Sequence, residues 1–136
     1  MGRILGLDFG ERRIGLALSD LMHIIASPYG IIDRKITPDF VNEIDKMIFE
    51  KDIESLVVGL PITLSNKRSR QTKCVEEIIE QLRLKLKIPI FTIDERLSSV
   101  SAEKTLIKKG VKTGHNKEQI DKVAAAIFLQ EFLDSK

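Results

Sequence analysis

The sequence has a single cysteine, no tryptophan, one tyrosine and two histidines in 136 residues. One thiol cannot close an internal disulfide, so the core must hold by packing alone, which fits a reducing compartment. Cys74 lies among helix-forming residues and is expected to be a half-buried helical thiol. Neither His23 nor His115 forms a Cys/His signature with it, which argues against a cysteine nucleophile, and two isolated histidines make zinc a poor fit. No apolar run approaches the roughly 20 residues of a transmembrane helix. The opening Met1-Gly2-Arg3-Ile4-Leu5 lacks the charged region, apolar stretch and cleavage site of a signal peptide, so a cytoplasmic location is expected. Six Phe and one Tyr are scattered at core spacing, which offers no stacking platform for nucleobases. The net charge of +2 is too small to name a partner. No repeat, low-complexity tract or linker divides the chain, and a single domain over 1–136 is expected.

What is present is an ordinary globular balance, 43% hydrophobic and 31% charged. The positive charge is clustered: Arg12 with Arg13; Lys67 and Arg68 with Arg70 and Lys73; Lys104, Lys108 and Lys109 with Lys112. These clusters suit phosphate contacts, and they suit ordinary solvated surfaces equally well.

Periodicity predicts a mixed α/β arrangement. Apolar runs over Arg3–Asp8 and Arg13–Leu18 flank Phe9-Gly10-Glu11-Arg12 and read as an antiparallel hairpin. Gly15 and Ala17 alternate with Ile14, Leu16 and Leu18, giving one bulky face and one that permits close approach. A third strand is expected within His23–Ile32. Thr37-Pro38-Asp39 reads as a cap, a first-turn proline and an early acid, followed by Phe40, Ile44, Met47 and Ile48 at helical spacing. Ser55–Leu60 and Ile88–Ile93 read as buried strands. Arg70–Leu86 reads as an amphipathic helix with Val75, Ile78, Ile79, Leu82 and Leu86 inward. A further helix is expected from Ser98 or Ser99 to a Gly110 stop. Asn116 and Gln119 suggest the start of the last helix, with Ile120, Val123, Ala124, Ile127, Leu129 and Leu133 as its apolar residues. Five strands led by a hairpin, then βα units, imply a mixed sheet with helices on both faces.

Three acids stand at element ends. Asp8 closes an apolar strand between Gly6 and Gly10; a cation partner or an Asx-turn would each account for it. Asp94-Glu95 ends another strand, where adjacent residues point to opposite faces, so the two should not both serve one site unless the strand has already ended. Glu95 has the longer reach, Asp94 is the alternative, and a surface ion pair with Arg96 also explains both. Asp121 lies early in the last helix, where the dipole alone would favour an acid. Small residues at Ala124, Ala125 and Ala126 suggest that this helix packs tightly and fixes that position. Three carboxylates from three elements suit Mg²⁺ or Mn²⁺, hard ions that take oxygen ligands and promote phosphodiester hydrolysis.

The motifs around these acids resemble those of the YqgF/RuvX family. They are Gly6-Leu7-Asp8-Phe9-Gly10-Glu11-Arg12-Arg13-Ile14-Gly15-Leu16-Ala17, Val58-Gly59-Leu60-Pro61, Asp94-Glu95-Arg96-Leu97-Ser98-Ser99, and Asp121-Lys122-Val123-Ala124-Ala125-Ala126-Ile127-Phe128-Leu129-Gln130. The resemblance runs in order along essentially the whole chain. It implies an RNase H-like fold similar to the RuvC resolvases. It also implies a bacterial cytoplasmic nuclease, acting in pre-16S rRNA end maturation or, alternatively, on Holliday junctions. Carried over, Asp8, Glu95 and Asp121 become the catalytic, metal-binding acids, and Arg13 a phosphate contact. The loop after Pro61 departs from the family's Asn-Met-Asp-Gly-like pattern: Thr63 replaces the Asn, Ser65 the Asp and Asn66 the Gly. Lys67 and Arg68 follow and, with Arg12 and Arg13, are the candidate nucleic-acid contacts. RNA is the favoured partner, DNA the alternative, for a monomer or homodimer without membrane association. An actin-like or sugar-kinase-type phosphotransferase shares the Asp-x-Gly hairpin but needs a second domain. A catalytically silent binding module would not need all three acids.

Overall fold

In the computed structural model, residues 2–10, 12–60, 70–94 and 117–135 are described. The first two strands, β1 (Arg3–Phe9) and β2 (Arg13–Ser19), form the expected antiparallel hairpin, with Asp8 opposite Gly15. The third, β3 (Ala26–Asp33), pairs antiparallel with β2 at one edge of the sheet. Helix α1 (Phe40–Glu50) leads into β4 (Ile53–Leu60), which lies parallel to β1. Helix α2 (Arg70–Lys85) leads into β5 (Ile90–Asp94), parallel to β4 at the other edge. The last helix, α3, spans Lys117–Asp134, and the sheet order is β3-β2-β1-β4-β5.

Alternation along the strands sends apolar side chains into two cores. Leu5, Leu7, Phe9, Ile14, Leu16, Leu56 and Val58 pack with Phe40 and Ile44 of α1 and with Val75, Ile78, Ile79 and Leu82 of α2. Ile4, Ala17 and Val57, on the other face, pack with Ala124, Ala125, Phe128, Leu129 and Leu133 of α3. Helices therefore cover both faces, and the bulky and the permissive sides of β2 fall as the alternation implies.

Several boundaries differ from the sequence reading, each for a local reason. Helix α1 starts two residues later than Pro38 would suggest. The Thr37 N–H is taken by the Asp33 carbonyl at 2.8 Å, so Thr37 closes a turn and Asp39 becomes the cap residue. β3 carries an irregularity: Leu16 faces Gly30 while Ala17 faces Pro28, leaving Tyr29 as an extra residue. Cys74 is exposed on α2 rather than half-buried, since the inward stripe runs through Val75, Ile78 and Ile79. In α3 the buried stripe includes Ala125 and Phe128, while Val123 and Ile127 are only half-buried. The helix expected over 98–110 lies outside the described residues, as does Asn116. Among the described residues, no helix is long and apolar enough to cross a membrane.

The α3 stripe is selected by close approach. A Cβ on Gly6 would stand 3.0 Å from the Leu129 Cβ and 3.3 Å from the Ala125 carbonyl oxygen. Gly6→Val is therefore expected to force α3 outward and destabilise the fold by roughly 1–3 kcal/mol. The midpoint of denaturant unfolding measures this; an unchanged midpoint would show that the contact is not tight.

Candidate active site

β1 supplies the central acid by simple alternation. Its even positions, Ile4, Gly6 and Asp8, face α3, while Leu5, Leu7 and Phe9 face α1 and α2. Asp8 is 6% exposed, and among the described residues it is the one ionisable side chain that is buried. Its flanks carry no side-chain bulk. Gly15 is its antiparallel partner, and Gly59 comes alongside one step beyond the Leu7–Val58 parallel pair. A buried carboxylate costs several kcal/mol unless charge or hydrogen bonds compensate it.

The register separates the two acids at the end of β5. Gly59 pairs with Ile93 and Leu60 with Asp94. Ile93 packs in the α3-side core, whereas Leu60 packs in the opposite core. Alternation places position 94 on the α1/α2 side, across the sheet from Asp8. Glu95 lies outside the described residues.

The last helix is aligned so that its N-terminus approaches the Asp8 end. At its other end, the Gln130 side chain accepts the Ala26 N–H at 2.8 Å and donates to the Ile24 carbonyl at 2.8 Å, next to the start of β3. Ala125 and Leu129 sit over Gly6. Position 121 is one turn earlier on the same stripe, about 6 Å along the helix. Asp8 is two residues further along β1, about 7 Å. The backbone thus brings position 121 toward the level of Asp8; the Asp121 side chain is outside the described part. Among the described residues, no three metal-ligating side chains converge.

The cations divide between the two faces. Arg13 shares the α3 side of β2 with Gly15 and Ala17 and is half-buried. Arg12 turns to the other side, its Nε 3.4 Å from Oδ2 of Asp33. Arg34 and Lys35, which the sequence did not single out, line the same hollow as Arg12. The signal was the pair of cations directly after the third strand, but only the β2–β3 pairing brings it to the hairpin. Lys67 and Arg68 lie outside the described residues, as do Lys104, Lys108, Lys109 and Lys112. Lys73 is exposed on α2. The Asp33 carboxyl is held below its ordinary pKa, first by the Lys35 N–H at 2.9 Å, then by the Ile36 N–H and the Arg12 guanidinium.

Comparison with known proteins accords with this geometry. The family described as "RuvX: Holliday junction resolvase" matches residues 2–135. A Roseiflexus protein is 42% identical over 99% of this chain and 96% of its own length, and a Chloroflexus aggregans protein is 41% identical over 98% and 94%. Both carry the provisional name of pre-16S rRNA nuclease. Among solved structures, RuvC of T. thermophilus in complex with a Holliday junction substrate aligns with a TM-score of 0.59 at 11% identity, covering 99% of this chain and 95% of that one. The fowlpox virus resolvase bound to junction DNA aligns with a TM-score of 0.55 at 12% identity, covering 98% and 97%. The fold is thus that of the RuvC-like, RNase H-type nucleases.

The lowered acidity of Asp33 carries a pH signature. Its folded-state pKa lies below the unfolded value of 3.8, so its stabilisation is complete above that value and is lost as pH falls through the folded pKa. Thermal midpoints should therefore fall below about pH 4, and less steeply in Asp33→Asn. Identical acid profiles for the two proteins would mean that this carboxylate does not hold the turn.

Proposed function

Since the chain belongs to the RuvX family, we propose that it hydrolyses nucleic-acid phosphodiesters, in maturation of the 5′ end of pre-16S rRNA, with Asp8 as its central catalytic acid. The observation that carries this reading is Asp8 itself: a buried carboxylate at the C-terminal end of a strand, flanked by glycines on both neighbouring strands. Such a buried oxygen donor, flanked by glycines, fits a hard divalent cation, Mg²⁺ or Mn²⁺. Asp8, Glu95 and Asp121 would hold it. When bound, the ion supplies an activated water and offsets charge on the phosphate.

The chain's own residues do the positioning. The parallel pairing of β1 with β4 holds the backbone from which Asp8 projects. Packing of α3 at Gly6 sets the height of position 121 above the sheet. Glu95 is preferred to Asp94 because position 94 falls on the opposite side of the sheet. Arg13, on the Asp8 side, would neutralise a phosphate oxygen and orient the scissile bond. With glycine on both neighbouring strands, the backbone of the substrate would meet no side chain of β2 or β4 directly beside Asp8.

The names of the relatives favour RNA, and a cytoplasmic setting follows from ribosome maturation. A second reading, cleavage of branched DNA, is favoured by the description of the family itself.

Asp8→Asn keeps shape and volume but removes the charge, so it should cost several kcal/mol of transition-state stabilisation, or roughly 10³-fold in cleavage rate, with the fold intact. Glu95→Gln should behave likewise, whereas Asp94→Asn should retain most activity. Cleavage of a pre-16S 5′ segment and of a four-way DNA junction is measured side by side, with Mn²⁺ and with chelator. Full activity of Asp8→Asn, from protein purified free of host nucleases, overturns the assignment; preference for the junction selects the second reading.

A further inference from the structure

On the opposite side of the hairpin from Asp8, the described residues form a hollow of about 350 Å³ lined by Arg12, Arg34, Lys35, Pro38 and Phe40. Three cations border it, and the Asp33 carboxylate is already engaged by Arg12 and by the backbone of the following turn. The arrangement is built rather than incidental. Arg34 Nη1 donates to the Gly10 carbonyl at 2.9 Å, and its guanidinium lies 5.2 Å from the centre of the Phe40 ring. Phe40 is anchored in turn by an edge-on contact with Phe9, 6.0 Å between centroids. The Arg34 N–H donates to the Arg12 carbonyl at 2.7 Å, which ties the two arginine backbones together.

From this we infer that the Arg12–Arg34–Lys35 hollow is a second phosphate-binding site, which grips the substrate strand beyond the scissile bond. Guanidinium forks match phosphate oxygens in shape and charge, and Arg34 is pre-oriented so that little freedom remains to be lost. A nucleobase is not the occupant. Phe40 is buried and a guanidinium already lies over its ring, so no base can stack there. The site therefore reads backbone charge and not sequence. Gly10 joins the two sites: it is two residues from Asp8, about 7 Å of strand, and its carbonyl holds Arg34. One polynucleotide strand rounding the hairpin would meet both.

This inference rests on the nuclease reading, and the test keeps the two apart. Binding of a labelled single-stranded RNA is measured in chelator for the wild type, Arg34→Gln and Lys35→Glu across a salt series. Lys35→Glu serves as the second variant because Arg34 also has structural contacts, and unfolding midpoints accompany both. Each variant should weaken binding several-fold, to the same extent for unrelated sequences. Each lost contact should flatten the plot of log K against log salt by about 0.7. Unchanged affinity and slope in both variants, with a wild type that binds and cleaves, overturns the second site alone. A wild type that neither binds nor cleaves overturns both readings. Inorganic phosphate at constant ionic strength should compete only weakly; strong competition would assign the hollow to a free anion and overturn its role on the strand.

Discussion

The approach of α3 to a sheet face stripped of side-chain bulk is the constraint on which the rest depends. Gly6 and Ala17 leave that face low, and Ala124 and Ala125 leave the helix thin, so the two come together over Ala125 and Leu129. Side chains of ordinary size on either partner would lift the helix and move whatever its first turns carry. The same lack of bulk continues along the strands that flank Asp8, as Gly15 and Gly59. One pattern thus serves two places: small residues let the layers meet over Gly6 and flank the buried acid at the end of β1.

The parallel register does what the individual acids cannot. Asp94 and Glu95 are adjacent and chemically alike, and neither composition nor motif spacing ranks them physically. The ladder through Val58–Thr92 and Gly59–Ile93 assigns a side to position 94, the last of β5, and puts it on the α1/α2 side of the sheet. A shift of one residue would move position 94 to the Asp8 side.

Much of this was legible in the sequence. The hairpin, the permissive face of β2, the α2 stripe and the isolation of Asp8 at a strand end all follow from local alternation, where neighbours in sequence determine the pattern. What escaped was of two kinds. In α3, apolar residues surround the helix, so Ala125 and Phe128 could not be told from Val123 and Ile127 until the sheet chose a side. The meeting of Arg34 and Lys35 with Arg12 depends on the pairing of β2 with β3 across an irregular register, which no local rule gives. Lys67, Arg68 and Glu95 fall outside the described residues, so their part in the site still rests on the resemblance.

The irregularity at Tyr29 has a consequence for the protein's solubility. β3 is an edge strand, and a flat edge with free N–H and C=O groups is a template on which a second molecule can add its own strand. Pro28 removes one donor from that edge, and the extra residue beside it breaks the even spacing that an incoming strand would need. Backbone chemistry thereby works against end-to-end growth of the sheet at this edge.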